Sequence, residues 1–252
     1  MIIPIPSNRE RFLIKVSVEA HFPFELGIRV YDPRYPNTYY FKRKARFKKP
    51  KTKREFTISL PVSPDVLEAE FFDKNSKNDY AFKIHSFKVE KLATTQVWET
   101  EEQGRFMDFA ISFAQKAGYV KPGFYDSSDN EFLFQYLSKI TDPFGNELIT
   151  PARTHREMPR VQISQRLFTS YTIPIRVAIL AHEGCHWFLN TRSQKTADLC
   201  GIKQYLDYGF PTIEAVYAVT KVFGKNPEMV GASQVERTKD VVAFIQKYKE
   251  NA

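Results

Sequence analysis

The sequence predicts an α+β protein, with an antiparallel β-sandwich over residues 1–93 and a mainly α-helical domain over 94–252. Three observations carry this. Up to residue 93 apolar and polar residues alternate with a period of two, the spacing of half-buried strands. Near residue 94 the apolar spacing lengthens to that of helices. The later apolar runs are also bounded by residues that start and stop helices. A chain of 252 residues with 42% hydrophobic and 26% charged content suits a globular protein of one large or two small domains.

The opening "MIIPIPSNRE" fits a leading strand and lacks the basic and apolar regions of a secretory signal. In "RFLIKVSVEA" (11–20), Phe12, Ile14, Val16 and Val18 share one face. In "YYFKRKARF" (39–47), Phe41, Arg43, Ala45 and Phe47 oppose Lys42, Lys44 and Arg46. "REFTISL" (54–60), "VLEAEFFD" (66–73) and "YAFKIHSFKVEKL" (80–92) keep the period, with "PVSPD" and "DKNSKND" as turns. Five or so such strands at this spacing indicate the sandwich.

The second part begins with a helix over 99–117, stopped at Gly118, with Glu101 and Glu102 in the first turn where negative charge is favoured. "YVKPGFYDSSDN" and "TPARTHREMPR" read as loops, "EFLFQYLSKI" (131–140) as a strand or short helix, and "RVQIS" (160–164) as a short strand. Pro174 suits the start of an apolar helix running to about residue 190. A second helix spans 194–208, with Ser193 as N-cap and Gly209 as the stop. A third runs from Thr212 to Gly224, and "SQVE" (233–236) is a capping box for a fourth that reaches about Lys249. There are no internal repeats.

Charge is concentrated in one place. "KRKARFKKPKTKR" (42–54) holds nine basic and no acidic residues, so the net +8 less those nine charges leaves the remainder at −1. Lys42, Lys44, Arg46, Lys48 and Lys49 thus form a basic patch, suited either to an acidic protein or nucleic-acid surface or to keeping an edge strand soluble. No nucleic-acid-binding signature accompanies it. No apolar run approaches the ~20 residues a spanning helix needs. Two cysteines argue against a disulfide framework and fit a reducing, cytoplasmic location.

The chemistry gathers in "ILAHEGCHWFLNTRSQKTADLCGIKQYL" (179–206). His182 and His186, one helical turn apart, share a face and can converge on one Zn²⁺. Glu183 then stands beside the metal as a general base. Ile175, Val177–Leu180 and Trp187–Leu189 make the helix apolar nearly all round, where a Glu and two His are costly unless paired. Three residues downstream can complete the site. Asp198 and Gln194 return towards the histidines through the short link 191–193, whereas Glu214 is more simply a first-turn acid. His155 lies in a polar loop, and His21 and His85 in the β region are structural. Cys185 turns ~100° away from His186, and both cysteines read as small core residues.

His182-Glu183-x-x-His186 followed by "QKTAD" (194–198) resembles the zincin metallopeptidases. It is most similar to gluzincins whose second helix carries Glu-x-x-Ala-Asp, a pattern also found in small zinc proteases of tailed phages. The resemblance covers about residues 150–224. It implies a zincin-like domain in which zinc activates a water for attack on a peptide bond, with Glu183 as base and then as proton donor. It implies that "RVQIS" is an edge strand pairing with a protein or peptide substrate, and Arg153, Arg160 and Tyr171 are candidate helpers at the oxyanion. In the family the glutamate is the third zinc ligand and the aspartate supports it; here Gln194 stands at the glutamate position. Asp198 is then expected to supply the oxygen, as an aspartate does in aspzincins, with Gln194 as the alternative. The alternative expectation is a zincin-fold assembly protein with reduced chemistry. It would be part of a larger assembly such as a phage virion, docking through the sandwich and the basic patch.

Overall fold

A computed structural model of the protein describes residues 1–75, 79–93, 100–155, 157–222 and 232–250. It is an α+β chain that divides into two compact units, Met1–Thr95 and Gln96–Ala252. No helix among the described residues is long and apolar enough to cross a membrane.

The first unit is built from β1 (Ile2–Ile5), β2 (Phe12–Ala20), β3 (Phe24–Tyr31), β4 (Tyr39–Phe47), β5 (Lys53–Leu60), β6 (Leu67–Asp73) and β7 (Phe82–Lys91). All its pairings are antiparallel, in a four-stranded sheet of order β1-β6-β3-β4 and a three-stranded sheet of order β5-β2-β7. Inward residues of both sheets, among them Ile14, Val16, Ile28, Phe47, Ile58 and Phe71, are almost fully buried. Phe71 of β6 meets Phe87 of β7 edge-on at 6.3 Å, which joins the two layers. The strand the sequence analysis did not place, β3, is an inner strand of the larger sheet. Gly27 in its middle weakens the strand signal, yet the fold uses it. The ring of Phe72 on β6 covers Gly27 so closely that a Cβ there would lie 2.4 Å from the ring. The Arg29 guanidinium lies over that same ring, 4.4 Å from its centroid.

The second unit comprises α1 (Glu101–Lys116), β8 (Gly123–Asp126), β9 (Leu133–Leu137), β10 (Ala152–Thr154), β11 (Arg160–Ser164), α2 (Gln165–Phe168), α3 (Ile173–Phe188), α4 (Gln194–Asp207), α5 (Thr212–Tyr217), a π-helical turn at Ala218–Val222 and α6 (Ala232–Glu250). Its strands form one mixed sheet of order β10-β11-β9-β8, in which only β11 and β9 run parallel. Residues 131–140 contain a strand rather than a helix. The segments expected as loops contribute β8 and β10, which at four and three residues are too short to show a hydrophobic period. The edge-strand expectation for "RVQIS" is corrected. β11 is flanked on both sides, and β10 takes the edge.

Thr100 caps α1 and Ser193 caps α4, each accepting a backbone N–H through its side chain. Gly209 follows α4 with φ of 94°, a conformation glycine adopts without strain. The expected third helix is α5, which begins after Pro211 and is followed directly by the π-helical turn at Ala218–Val222; Gly224 lies outside the described residues. The fourth begins at Ala232, so Ser233 is inside its first turn rather than its cap.

Two contacts fix α3. At Gly184 an added Cβ would lie 2.3 Å from the Phe106 ring of α1. At Gly201 of α4 it would lie 2.8 Å from the backbone nitrogen of His182. Both neighbours therefore sit against α3 at positions with no side chain. Arg176, buried on α3, donates to the carbonyls of Ala114, Phe168 and Thr169, and so neutralises the negative ends of α1 and α2.

Candidate metal centre

His182 is 3% exposed, near the end of a run from Ile173 to Cys185 in which every residue is buried. His186 follows one turn later and is half-buried. Their Nε2 atoms lie 3.2 Å apart. Each ring turns its other nitrogen to an acceptor. His186 Nδ1 donates to the carbonyl of Thr191 at 2.8 Å, and His182 Nδ1 lies 2.9 Å from Asp198 Oδ1. With Nδ1 carrying hydrogen, each Nε2 presents a lone pair. Two lone pairs this close repel unless a proton or a cation lies between them. Two nitrogens bound tetrahedrally to zinc at about 2.05 Å are about 3.3 Å apart, so the spacing suits a shared ion.

Gln194, in the first turn of α4, places its amide Nε2 3.2 Å from His186 Nε2. Turning the amide over exchanges nitrogen for oxygen and presents Oε1 at that point. The tight link 191–193 makes this approach, and its Thr191 carbonyl also orients His186. Among the described residues no three side chains of His, Cys, Asp and Glu gather to hold a metal. The third side chain at the histidines is the Gln194 amide.

Asp198, the other expected oxygen donor, sits on the Nδ1 side of His182. It is 1% exposed, and Arg237 of α6 grips it with two bonds, Nε to Oδ2 at 2.7 Å and Nη2 to Oδ1 at 2.9 Å. Burial acts to raise its pKa, but the contacts with His182 and Arg237 outweigh burial and hold the carboxyl below its ordinary range. Placed so, Asp198 fixes the orientation of His182.

Glu183 points to the other neighbour, β10. The backbone N–H of Thr154 donates to its Oε2 at 2.7 Å, and the Thr154 hydroxyl lies 2.7 Å from both Oε2 and the Glu183 carbonyl oxygen. One edge-strand residue thus fixes the general-base candidate. Thr154 and Arg237 were not singled out from the sequence. Thr154 was hidden in a polar stretch. Arg237 is separated from Asp198 by 39 positions, and only the need of a buried Asp for a cation hinted at such a partner.

The remaining candidates make contacts of their own. Glu214 is beside Tyr205, whose phenol is pushed far up by burial and then by that carboxylate. Arg153 is engaged by Gln162 and the Thr141 carbonyl, and Tyr171 lies near Tyr217. Arg160 opens β11, where its backbone carbonyl accepts from the His155 N–H. His155 closes a local turn by accepting from the Glu157 N–H. In the first unit, His21 contacts the Tyr80 carbonyl and His85 pairs with Glu19.

The cysteine expectation is corrected. Cys185 and Cys200 are joined in a disulfide between α3 and α4, with Cα atoms 6.0 Å apart. Cys185 does turn away from His186, but that direction faces α4, where Cys200 waits.

In the first unit Lys42, Lys44, Arg46, Lys48 and Lys49 are all exposed. They lie on β4 and the turn after it, and β4 and β5 are edge strands of the two sheets. Lys42 lies over the Tyr39 ring at 4.5 Å, and Lys74 beside Lys44 pushes the Lys44 ammonium below its ordinary pKa. Comparison with known family models, with characterised proteins and with solved structures finds no match.

Proposed function

We propose that the second unit is a zinc-dependent endopeptidase domain of zincin type. The carrying observation is the convergence of two imidazole Nε2 atoms at 3.2 Å on adjacent turns of α3, with Glu183 buried on the same helix. His182, His186 and Gln194 would hold the metal. Zinc, when bound, would polarise the scissile carbonyl and lower the pKa of a water. Glu183 accepts that water's proton and returns it to the leaving amine. Thr154 keeps the carboxylate in place, and Asp198 with Arg237 keeps His182 turned towards the ion. A substrate strand would approach along β10, the edge strand that already touches Glu183. The test is cleavage of an unfolded protein substrate by zinc-loaded protein and by Glu183→Gln. Cleavage should fall at least a hundredfold in the variant, and equal cleavage refutes the assignment.

Two observations favour a second reading. The third donor is a neutral amide, and the densest charge lies on the two sheet edges of the other unit. This suits an assembly component that docks an acidic protein or nucleic-acid surface on the basic patch. Stoichiometric recovery from a large particle, without zinc, would select it.

A further inference from the structure

We propose that the Cys185–Cys200 bridge is a redox-controlled clamp on the metal ligands, retaining zinc when closed and releasing it when reduced. This rests on the reading of His182, His186 and Gln194 as a zinc site.

The bridge lies amid the groups that must stay in register. Cys185 directly precedes His186 on α3, and Cys200 is two residues past Asp198 and six past Gln194 on α4. Every contribution of α4 to the site depends on its distance from α3: Gln194 beside His186, and Asp198 behind His182. Metal ligation tolerates only about 0.2 Å of misplacement. At the level of the bridge the helices meet through Gly201, which offers no side chain to interlock with α3. The covalent link between the sulfurs holds the spacing there. Gln194 itself is exposed, at the open end of α4, where a small tilt of the helix moves it furthest.

Cys185 is fully buried and Cys200 is half-buried, so a reductant reaches Cys200 first. A thiolate of a dithiol attacks Cys200 Sγ, the S–S bond breaks, and Cys185 leaves as a thiolate that takes up a proton. The second thiol of the reductant then displaces Cys200, which is protonated in turn. Two electrons and two protons pass to the protein, and the dithiol becomes a cyclic disulfide. Zinc loading then follows the redox state of the surroundings: full where thiols are scarce, reduced where they are abundant.

The experiment measures zinc affinity by competition with a chromogenic chelator. The samples are bridged protein, protein reduced with a dithiol and desalted under argon, the same sample reoxidised, and Cys185→Ala/Cys200→Ala, with His182→Ala as the unliganded control. Circular dichroism confirms that each is folded. The clamp predicts one zinc per bridged chain, affinity at least tenfold lower in the reduced and double-variant samples, and recovery on reoxidation. Affinity within twofold in all samples overturns the clamp and leaves the zinc site standing. Two free thiols in the protein purified under air also overturn it. Failure of the bridged protein to bind zinc better than His182→Ala overturns the zinc site and the clamp together.

Discussion

The two units treat buried polarity in opposite ways. In the first, the buried polar side chains other than Ser17 within β2 stand at turns and strand ends. Asp32 receives the backbone and guanidinium of Arg34, Ser7 and Ser63 bond carbonyls across neighbouring turns, and Asp73 accepts from Asn75. Its layers are held by apolar side chains. In the second, Arg176, His182, Glu183 and Asp198 lie within helices, almost wholly out of water. Burying such groups is costly unless each finds a partner, and here partners come from α1, α2, α3, α4, α6 and β10. The first arrangement caps a fold. The second is expected where chemistry has to be held in place.

The contrast is broken most severely at Arg237. Arg237→Ala leaves Asp198 charged and buried with half its partners, a loss of about 3–5 kcal/mol. A urea titration should show the second unit unfolding at lower denaturant. Arg34→Ala, removing the local and exposed partner of Asp32, should leave the first unit's midpoint almost unmoved.

Next is Gly201→Ala, whose Cβ would meet the His182 backbone at 2.8 Å with nothing flexible to yield. A cost of about 1–3 kcal/mol follows, along with weaker zinc binding as α4 is displaced. Gly27→Ala, where the obstacle is the swinging ring of Phe72, should cost less. Thermal unfolding of the two variants makes the comparison.

Gln194→Glu replaces the neutral donor with a carboxylate and should raise zinc affinity about tenfold or more, since carboxylate oxygen is a far better zinc ligand than an amide. Calorimetric titration checks it. An unchanged affinity would place Gln194 outside the ligand set.

The smallest effect is in the pH dependence. The Asp198 pKa is held below its ordinary 3.8 in the folded chain. Its stabilising contribution is therefore complete above that value and is lost as pH falls through the lower folded value. Asp198→Asn should flatten the acid limb of the second unit's stability below about pH 4, read by circular dichroism. Asp32 is also lowered, as its Arg34 bonds outweigh burial, but a partner two residues away persists in part when the chain unfolds, so its acid limb should be shallower.

The legible parts of the molecule were those that local chemistry decides. The ends of α4 follow from a serine that accepts an N–H and a glycine at positive φ. The spacing of His182 and His186 on one helix face follows from 3.6 residues per turn, and β2 and β4 to β7 follow from alternation. What was hidden depends on how separate elements meet. The disulfide needs the relative rotation of α3 and α4. The position of Asp198 behind His182 rather than in front needs the same rotation. Arg237 arrives from a helix with no sequence link to its target. β8 and β10 are shorter than any period that reveals a strand.

On the proposed function, two imidazoles and one amide oxygen hold a zinc ion beside Glu183. Zinc X-ray absorption on the bridged protein, paired with elemental analysis, tests it most directly. One zinc per chain is expected, with two imidazole nitrogens and light oxygen or nitrogen donors at about 2.0–2.1 Å, lost in His186→Ala. A protein that holds no zinc when bridged, or whose zinc remains after His186→Ala, would contradict it.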